Sequence, residues 1–334
     1  MNPVLVEATR GAIVESRHRG AAAVVDAAGR VAFAVGDIDA PVFPRSAVKA
    51  LQALPLVETG AADRLGLSAA EIALACASHG GEPAHVATAR AMLAKAGRTP
   101  GCLECGAHWP LDAEAGRGLA AAGDRPGPLH NNCSGKHAGF ICLACASGED
   151  PAGYVRPGHP TMRRVTAALA DLTGSRLDDA TRATDGCSIP TYAVPLRALA
   201  LAFARFATGA GLAAERAAAA ARIRAAVAEH PFMVGGTGRF DTVLMQACGA
   251  RVFAKGGAEG VHCAALPELG LGIAVKCDDG AGRAADLVVA SLAARLLGPG
   301  VVPETLQRPV LHNWNGVPVG ALRPGEALAG AGDR

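Results

Sequence analysis

The chain opens on two short stretches, "PVLVEATR" and "AIVESRH", in which apolar and polar positions alternate with a period of two, as half-buried β-strands require. "GAAAVVDAAGRVAFAVGD" follows, two apolar runs parted by "DAAG", and predicts a hairpin. From Ser46 onward the period lengthens to that of helices. "SAAEIALACASHG" begins with a capping box, Ser68 to Glu71, and stops at glycine. "EPAHVATARAMLAKAG" has proline in its first turn and Gly97 at its end. A loop-rich interval covers 98–135, and helical patterns return in "HPTMRRVTAALADLTG", "YAVPLRALALAFARFATG" and "AAERAAAAARIRAAVAEH". Residues 251–277 again read as strands, and "RAADLVVASLAARLLG" is a last helix.

Strands at both ends and helices between them predict an α/β (α+β) chain. The expected sheet is mainly antiparallel, built from strands in 3–37 and 251–277, with a helical middle over 46–230 in a single domain over 1–334. A doubly wound parallel sheet would need strands and helices to alternate one by one, which they do not.

Composition narrows the function classes. Half of the 334 residues are hydrophobic, 19% are charged and the formal net charge is +2, with arginines scattered along the chain. That leaves no electrostatic footprint for nucleic acid or an anionic membrane. No apolar run approaches the length of a membrane span, and the acidic, strand-like start does not suit a signal peptide, so a cytoplasmic location is expected. The ten cysteines then read as thiols or metal ligands rather than as a disulfide framework.

Of the 32 basic residues only five are lysine: Lys49, Lys95, Lys136, Lys255 and Lys276. Lysine can lose its proton near neutral pH and arginine cannot. In "FPRSAVK", Ser46 and Lys49 are three apart and share a helix face, with Arg45 alongside. A serine hydroxyl needs an adjacent base to attack, and a lysine serves if burial or neighbouring cations lower its pKa. Alone, such a pair is commonly an ordinary helix face. Two further stretches change the balance: "CASHGGE" sets Ser78 before paired glycines, and "VFAKGGAEG" sets Lys255 at a strand end before another pair. That order is similar to the three motifs of penicillin-binding proteins and β-lactamases. Here Gly256 replaces the hydroxyl residue of the third motif, and S-D-N is missing.

A second cluster lies in "LHNNCSGKHAGF" and "TDGCSIPTYAVPL". Cys133 and Lys136 are three apart at an expected helix start, and Cys187 sits in a turn after Asp185. A lone buried cysteine is usually a small apolar residue, but thiols in polar, Gly-rich loops are less usual for packing. Two thiolates suit an open zinc site with a third protein ligand and water, and Lys136, Asp185 and His137 compete for the third place. "CLEC" (102–105) has zinc-like spacing but no nearby second pair, and "GGTGRFDT" (235–242) lacks the lysine that ends a phosphate loop.

Taken together, "VFPRSAVKALQALPLVETGAAD", "CASHGGEPAHV", "HNNCSGKHAGF", "DGCSIPTYAVPL", "HPFMVGGTGRFDT", "AKGGAEGVHCAAL" and "GLGIAVKCDDGAGRAA" resemble the Rhizobium etli-type L-asparaginases, and the likeness spans nearly the whole chain. The resemblance implies a fold like the serine β-lactamases and serine-dependent glutaminases, a homodimer, and a small-molecule substrate, L-asparagine. It implies two serine–lysine pairs, Ser46 with Lys49 and Ser78 with Lys255, Lys276 being the rival of Lys255. It implies one zinc ion per chain on Cys133, Lys136, Cys187 and water, with Asp185 beside it. Arg45 and His137 are then the groups that grip the substrate's α-carboxylate, and Asp185 is a partner of the zinc ligands or of the substrate. Ser46 is expected to attack the side-chain amide, with Ser78 as its rival. Three other readings make different predictions: a serine-dependent glutaminase, a penicillin-acylated β-lactamase or peptidase, and a non-enzymatic zinc or thiol sensor.

Overall fold

The computed structural model describes residues 1–329. Six helices reach thirteen residues or more among them: α1 (Pro83–Lys95), α2 (Ser134–Ala146), α3 (Pro160–Thr173), α4 (Leu196–Thr208), α5 (Ala214–Glu229) and α6 (Gly282–Leu297). The chain divides into two compact units, and the division cuts across chain order. One comprises Met1–Ala47, Ala193–Gly211 and the segment from Leu244; the other comprises Val48–Tyr192 and Leu212–Val243.

The first unit is built on an eight-stranded sheet. Its strands are β1 (Val4–Arg10), β2 (Ile13–Asp26), β3 (Val31–Val35), β4 (Phe253–Gly256), β5 (Val261–Leu266), β6 (Leu271–Cys277), β7 (Val310–His312) and β8 (Pro318–Pro324). The order is β7-β8-β1-β2-β6-β5-β4, with β3 also beside β2. Every pairing is antiparallel, so the sheet joins both ends of the chain as the sequence pattern requires.

The two expected strands around Gly20 are one. Over Ile13–Arg19 β2 pairs with β1 and its burial alternates; from Gly20 it pairs with β6 and is buried continuously to Val25. A Cβ at Gly20 would lie 2.2 Å from the Lys276 carbonyl oxygen, so only glycine passes this change of partner. Beyond it both faces of the sheet are covered, and the alternating pattern gives way to "GAAAVV". Helices α4 and α6 supply that cover, both packing on β5 and β6. At Gly272 the backbone of α4 comes so near β6 that a Cβ would sit 2.0 Å from the Ala200 oxygen.

The hairpin β7–β8 lies beyond the strands expected from the pattern. Its turn carries Asn315–Gly316, a strong short-range hairpin signal, but its strands are largely exposed and lack a clean apolar alternation.

The second unit is mainly helical. Helix α2 is buried at every position from Ser134 to Ala144, apolar all round beyond a first turn that carries Ser134, Lys136 and His137. Its approach to the Leu74 segment depends on Gly135, where a Cβ would meet the Leu74 carbonyl oxygen at 2.4 Å. The expected capping box forms: Glu71 N–H donates to Ser68 Oγ, and Ser68 N–H donates to Glu71 Oε2 at 2.7 Å. The helix it opens ends at Leu74, short of the glycine expected to stop it, because Ala75–Ala77 turn out towards Ser78.

Candidate active site

In the second unit four segments deliver polar side chains to one buried cluster: the helical turn Lys49–Gln52, the loop 78–81, the N-terminus of α2 and the turn 185–189. The loop is fixed by its backbone, with Ser78 N–H donating to the Val234 oxygen and His79 N–H to the Asn132 oxygen. Asn131 ties the start of α2 in place. Its Oδ1 accepts from Cys133 N–H at 2.8 Å, and its amide donates to the Cys105 oxygen. Gly81 N–H donates to His79 Nδ1, so the neutral His79 ring donates from Nε2 to Ser134 Oγ, which donates to the Leu129 oxygen.

Lys49 is fully buried, and its Nζ donates to the Ala77 oxygen at 2.6 Å, Ser78 Oγ at 2.8 Å and Cys133 Sγ at 3.1 Å. Lys136, also buried, donates to Cys187 Sγ at 3.0 Å. The Cys187 thiol lies 3.1 Å from Asp185 Oδ2. A buried ammonium group is costly without counter-charge. A hydrogen bond from Cys187, against the opposing pull of burial and with help from Lys136 and Lys49, holds the Cys133 thiol well below its usual range. The same shared proton, with burial, pushes Cys187 up. Burial alone would lower Lys136, but Cys133, Cys187 and Asp185 override it and hold the amine charged. The cluster therefore sets the Lys136 ammonium against the Cys133 thiolate, with Asp185 and the Lys49 amine beside them.

His137 follows Lys136 in the first turn of α2 and is fully buried. Burial, then the charges of Lys136 and Lys49, keep it neutral. The hydroxyl of Tyr154, a residue that no sequence motif marks, lies 2.6 Å from its Nδ1. The only signal for Tyr154 in the sequence is slight: it is one of two tyrosines in the chain.

Arg45, Ser46 and Lys255 belong to the first unit. Ser46 lies on the 3₁₀ turn Arg45–Val48, which leads directly into the turn that starts at Lys49. Arg45 is half-buried and has φ +49°, a left-handed backbone that is unfavourable for any residue but glycine. Lys255 is buried at the end of β4, its Nζ donating to the Gly256 oxygen. The next residue, Gly257, abuts the Ser46 turn so closely that a Cβ would meet the Pro44 oxygen at 2.8 Å and the Ala47 nitrogen at 3.0 Å. Lys276, on β6, donates to the Glu259 oxygen. Ser78 is hydrogen-bonded to Lys49, and within the first unit the strand end bearing Lys255 lies against the turn bearing Ser46.

Among the described residues, no three His, Cys, Asp or Glu side chains form a metal-binding group. A zinc ion here would have to take Lys136 as a ligand, and the meeting of two sulfurs with that amine fits such a donor set. A cleft of about 1000 Å³ in the same unit is lined by Gly81, Glu82, Arg90, Asp112, His130 and Thr237 among others, and by none of Lys49, Ser78, Cys133, Lys136 or Cys187. Thr237, from the glycine-rich stretch 235–242, donates to Glu82 through both its N–H and its hydroxyl. No helix among the described residues is long and apolar enough to cross a membrane.

Comparison with known proteins gives one family. A family model described as L-asparaginase II matches residues 6–324. No curated protein matches the sequence. Solved structures similar to this chain include a β-lactamase from Mycobacterium bovis, at 17% identity and TM-score 0.40 over 80% of this chain and 89% of that one. Mglu in its native form is similar at 18% identity and TM-score 0.37, over 89% of this chain and 68% of that one.

Proposed function

Because the chain belongs to the L-asparaginase II family and is an amidohydrolase, we propose that it hydrolyses the side-chain amide of L-asparagine to L-aspartate and ammonia, with a serine nucleophile and Lys49 as its base. The observation that carries this reading is the 2.8 Å hydrogen bond between the buried Lys49 amine and Ser78 Oγ. In the attack, Ser78 Oγ bonds to the amide carbonyl carbon and its proton passes to neutral Lys49. The tetrahedral adduct then expels ammonia, which takes that proton with it. Water hydrolyses the resulting aspartyl ester by the same route, with Lys49 again accepting the proton.

Lys49 must be neutral for this to work. Burial and the nearby Lys136 cation favour the neutral amine, while the Cys133 thiolate favours the ammonium. Cys133, Cys187 and Lys136 are the residues that would hold zinc. When bound, zinc supplies positive charge that neutralises the two thiolates. In this reading Arg45 and His137 bind the substrate carboxylate, Asp185 is a further substrate-binding group, and the enzyme acts in the cytoplasm as a homodimer.

Ser46 is the second candidate nucleophile. It is favoured by the strained backbone at Arg45 and by the close seat of Gly257 against its turn. Ser78→Ala and Ser46→Ala, assayed for ammonia release, separate the two. Ser78→Ala should lower kcat by roughly 10³-fold or more, the scale expected when a nucleophile is lost, and Ser46→Ala should cost less. The reverse ranking moves the attack to Ser46, and near-normal turnover in both variants ends the serine mechanism. Release from L-glutamine in preference to L-asparagine would keep the chemistry and change the substrate. Metal analysis of the purified chain is expected to find zinc, and Cys133→Ser and Cys187→Ser should each lose it. Equal zinc in all three proteins would remove the proposed ligand set.

A further inference from the structure

The Tyr154 hydroxyl is fully enclosed and has two polar neighbours. Glu104 N–H donates to it at 2.9 Å, and His137 Nδ1 lies 2.6 Å away. A phenol has one proton. With its oxygen already accepting from Glu104, that proton is directed at His137 Nδ1, which must then be the acceptor nitrogen. An imidazole whose Nδ1 accepts carries its hydrogen on Nε2. His137 Nε2 is buried and has no hydrogen-bond partner among the described residues. Buried donors are seldom left unsatisfied, and each exception calls for an explanation.

The surroundings supply one. His137 stands beside Lys136 in the first turn of α2, where backbone N–H groups favour negative charge. An oxygen bearing negative charge is the acceptor that suits this place. We infer that Tyr154 is a positioning residue which holds His137 as the Nε2–H tautomer, and that this hydrogen is reserved for a carboxylate oxygen of the substrate. The inference deepens the asparaginase reading and rests on it for the identity of that carboxylate. Tyr154 touches no substrate; it acts through His137.

The test uses the full chain with ¹⁵N-labelled histidine, the ring signals of His137 being assigned by their loss in His137→Gln. The wild type should show an acceptor-type Nδ1 and a protonated Nε2, and adding L-aspartate should move the Nε2 signal saturably. In Tyr154→Phe the acceptor-type Nδ1 signal should lose its hydrogen-bond shift and the two tautomers should mix. KM for L-asparagine should rise by about tenfold, the scale of one lost hydrogen bond, while kcat changes far less. 3-Aminopropanamide, which keeps the reacting amide and lacks the α-carboxylate, should show no such rise between wild type and variant. A protonated Nδ1 in the wild type, or an Nε2 signal that L-aspartate leaves in place, overturns the inference without any recourse to the variant. A chain that releases no ammonia but whose Nε2 signal responds to L-aspartate keeps the inference and loses only the proposed reaction.

Discussion

Lys49 and Lys136 set their amines against the sulfurs of Cys133 and Cys187, and the spacing that brings Cys133 and Lys136 there is short in sequence. Cys133 and Lys136 lie one helical turn apart, so the type and position of these residues are legible in the sequence itself. The partner of Lys49 is not. Ser78 reaches it only because Ala75–Ala77 leave their helix and Val234 catches the Ser78 backbone, a contact between residues 156 positions apart in the chain. Tyr154 is invisible for a related reason: its importance lies in one hydroxyl placed by the fold, and no motif marks it. Gly135 makes the opposite case, since a glycine inside a helical pattern is visible and its purpose is not. Gly135→Ala should destabilise the chain by about 2–3 kcal/mol, because the new methyl meets backbone that has no room to yield. A urea midpoint unchanged from wild type would show that Leu74 can shift.

Individual elements reward sequence reading where local chemistry decides them. The Ser68–Glu71 capping box forms as expected, and its acid has a further partner. Lys95, at the end of α1, donates to Glu71 Oε2 at 2.6 Å, while Glu71 itself is buried. Lys95 is therefore a cross-helix tie and more than a favourable charge at a helix end. Ser68→Ala should cost about 1 kcal/mol, the usual worth of an N-cap. Glu71→Ala should cost more, about 2–3 kcal/mol, since it frees the Ser68 N–H and strips the Lys95 ammonium of its carboxylate. Thermal or urea unfolding of the pair checks the ranking, and equal costs would mean that the Lys95 link contributes nothing. The last hairpin, β7–β8, shows where the pattern fails: β7 is the edge strand and β8 beside it is only partly buried, so burial left no periodic mark on them.

At the scale of the whole molecule, buried neutral histidines set the acid limit. Burial holds His85 and His79 below the ordinary value, outweighing Glu82 and Asp112 near His85 and reinforced by Lys49, His85, His108 and His130 around His79. The two rings stack 4.9 Å apart, which leaves no room for charge on both. In the unfolded chain they titrate near 6.5. Below that pH the unfolded state binds protons that the folded state refuses, so stability is complete above about pH 7 and falls as the pH drops through 6.5 towards the depressed folded values. Unfolding midpoints measured from pH 8 to pH 5 should decline across this range, and His85→Gln should flatten the slope. A flat profile in the wild type would show that these rings take up protons without cost.

The path of β2 through the sheet has a consequence for the order in which the protein is made. Its second half pairs with β6, so Asp26 must wait for Leu271, about 245 residues later, before the two strands can join. At cellular rates of synthesis that delay is on the order of ten seconds to a minute. The second unit ends at Val243 and is fully translated before β6 exists. A nascent chain arrested shortly after residue 243 therefore carries the apolar "GAAAVV" paired with β3 but without β6, one edge of the strand left open to chaperones and to aggregation.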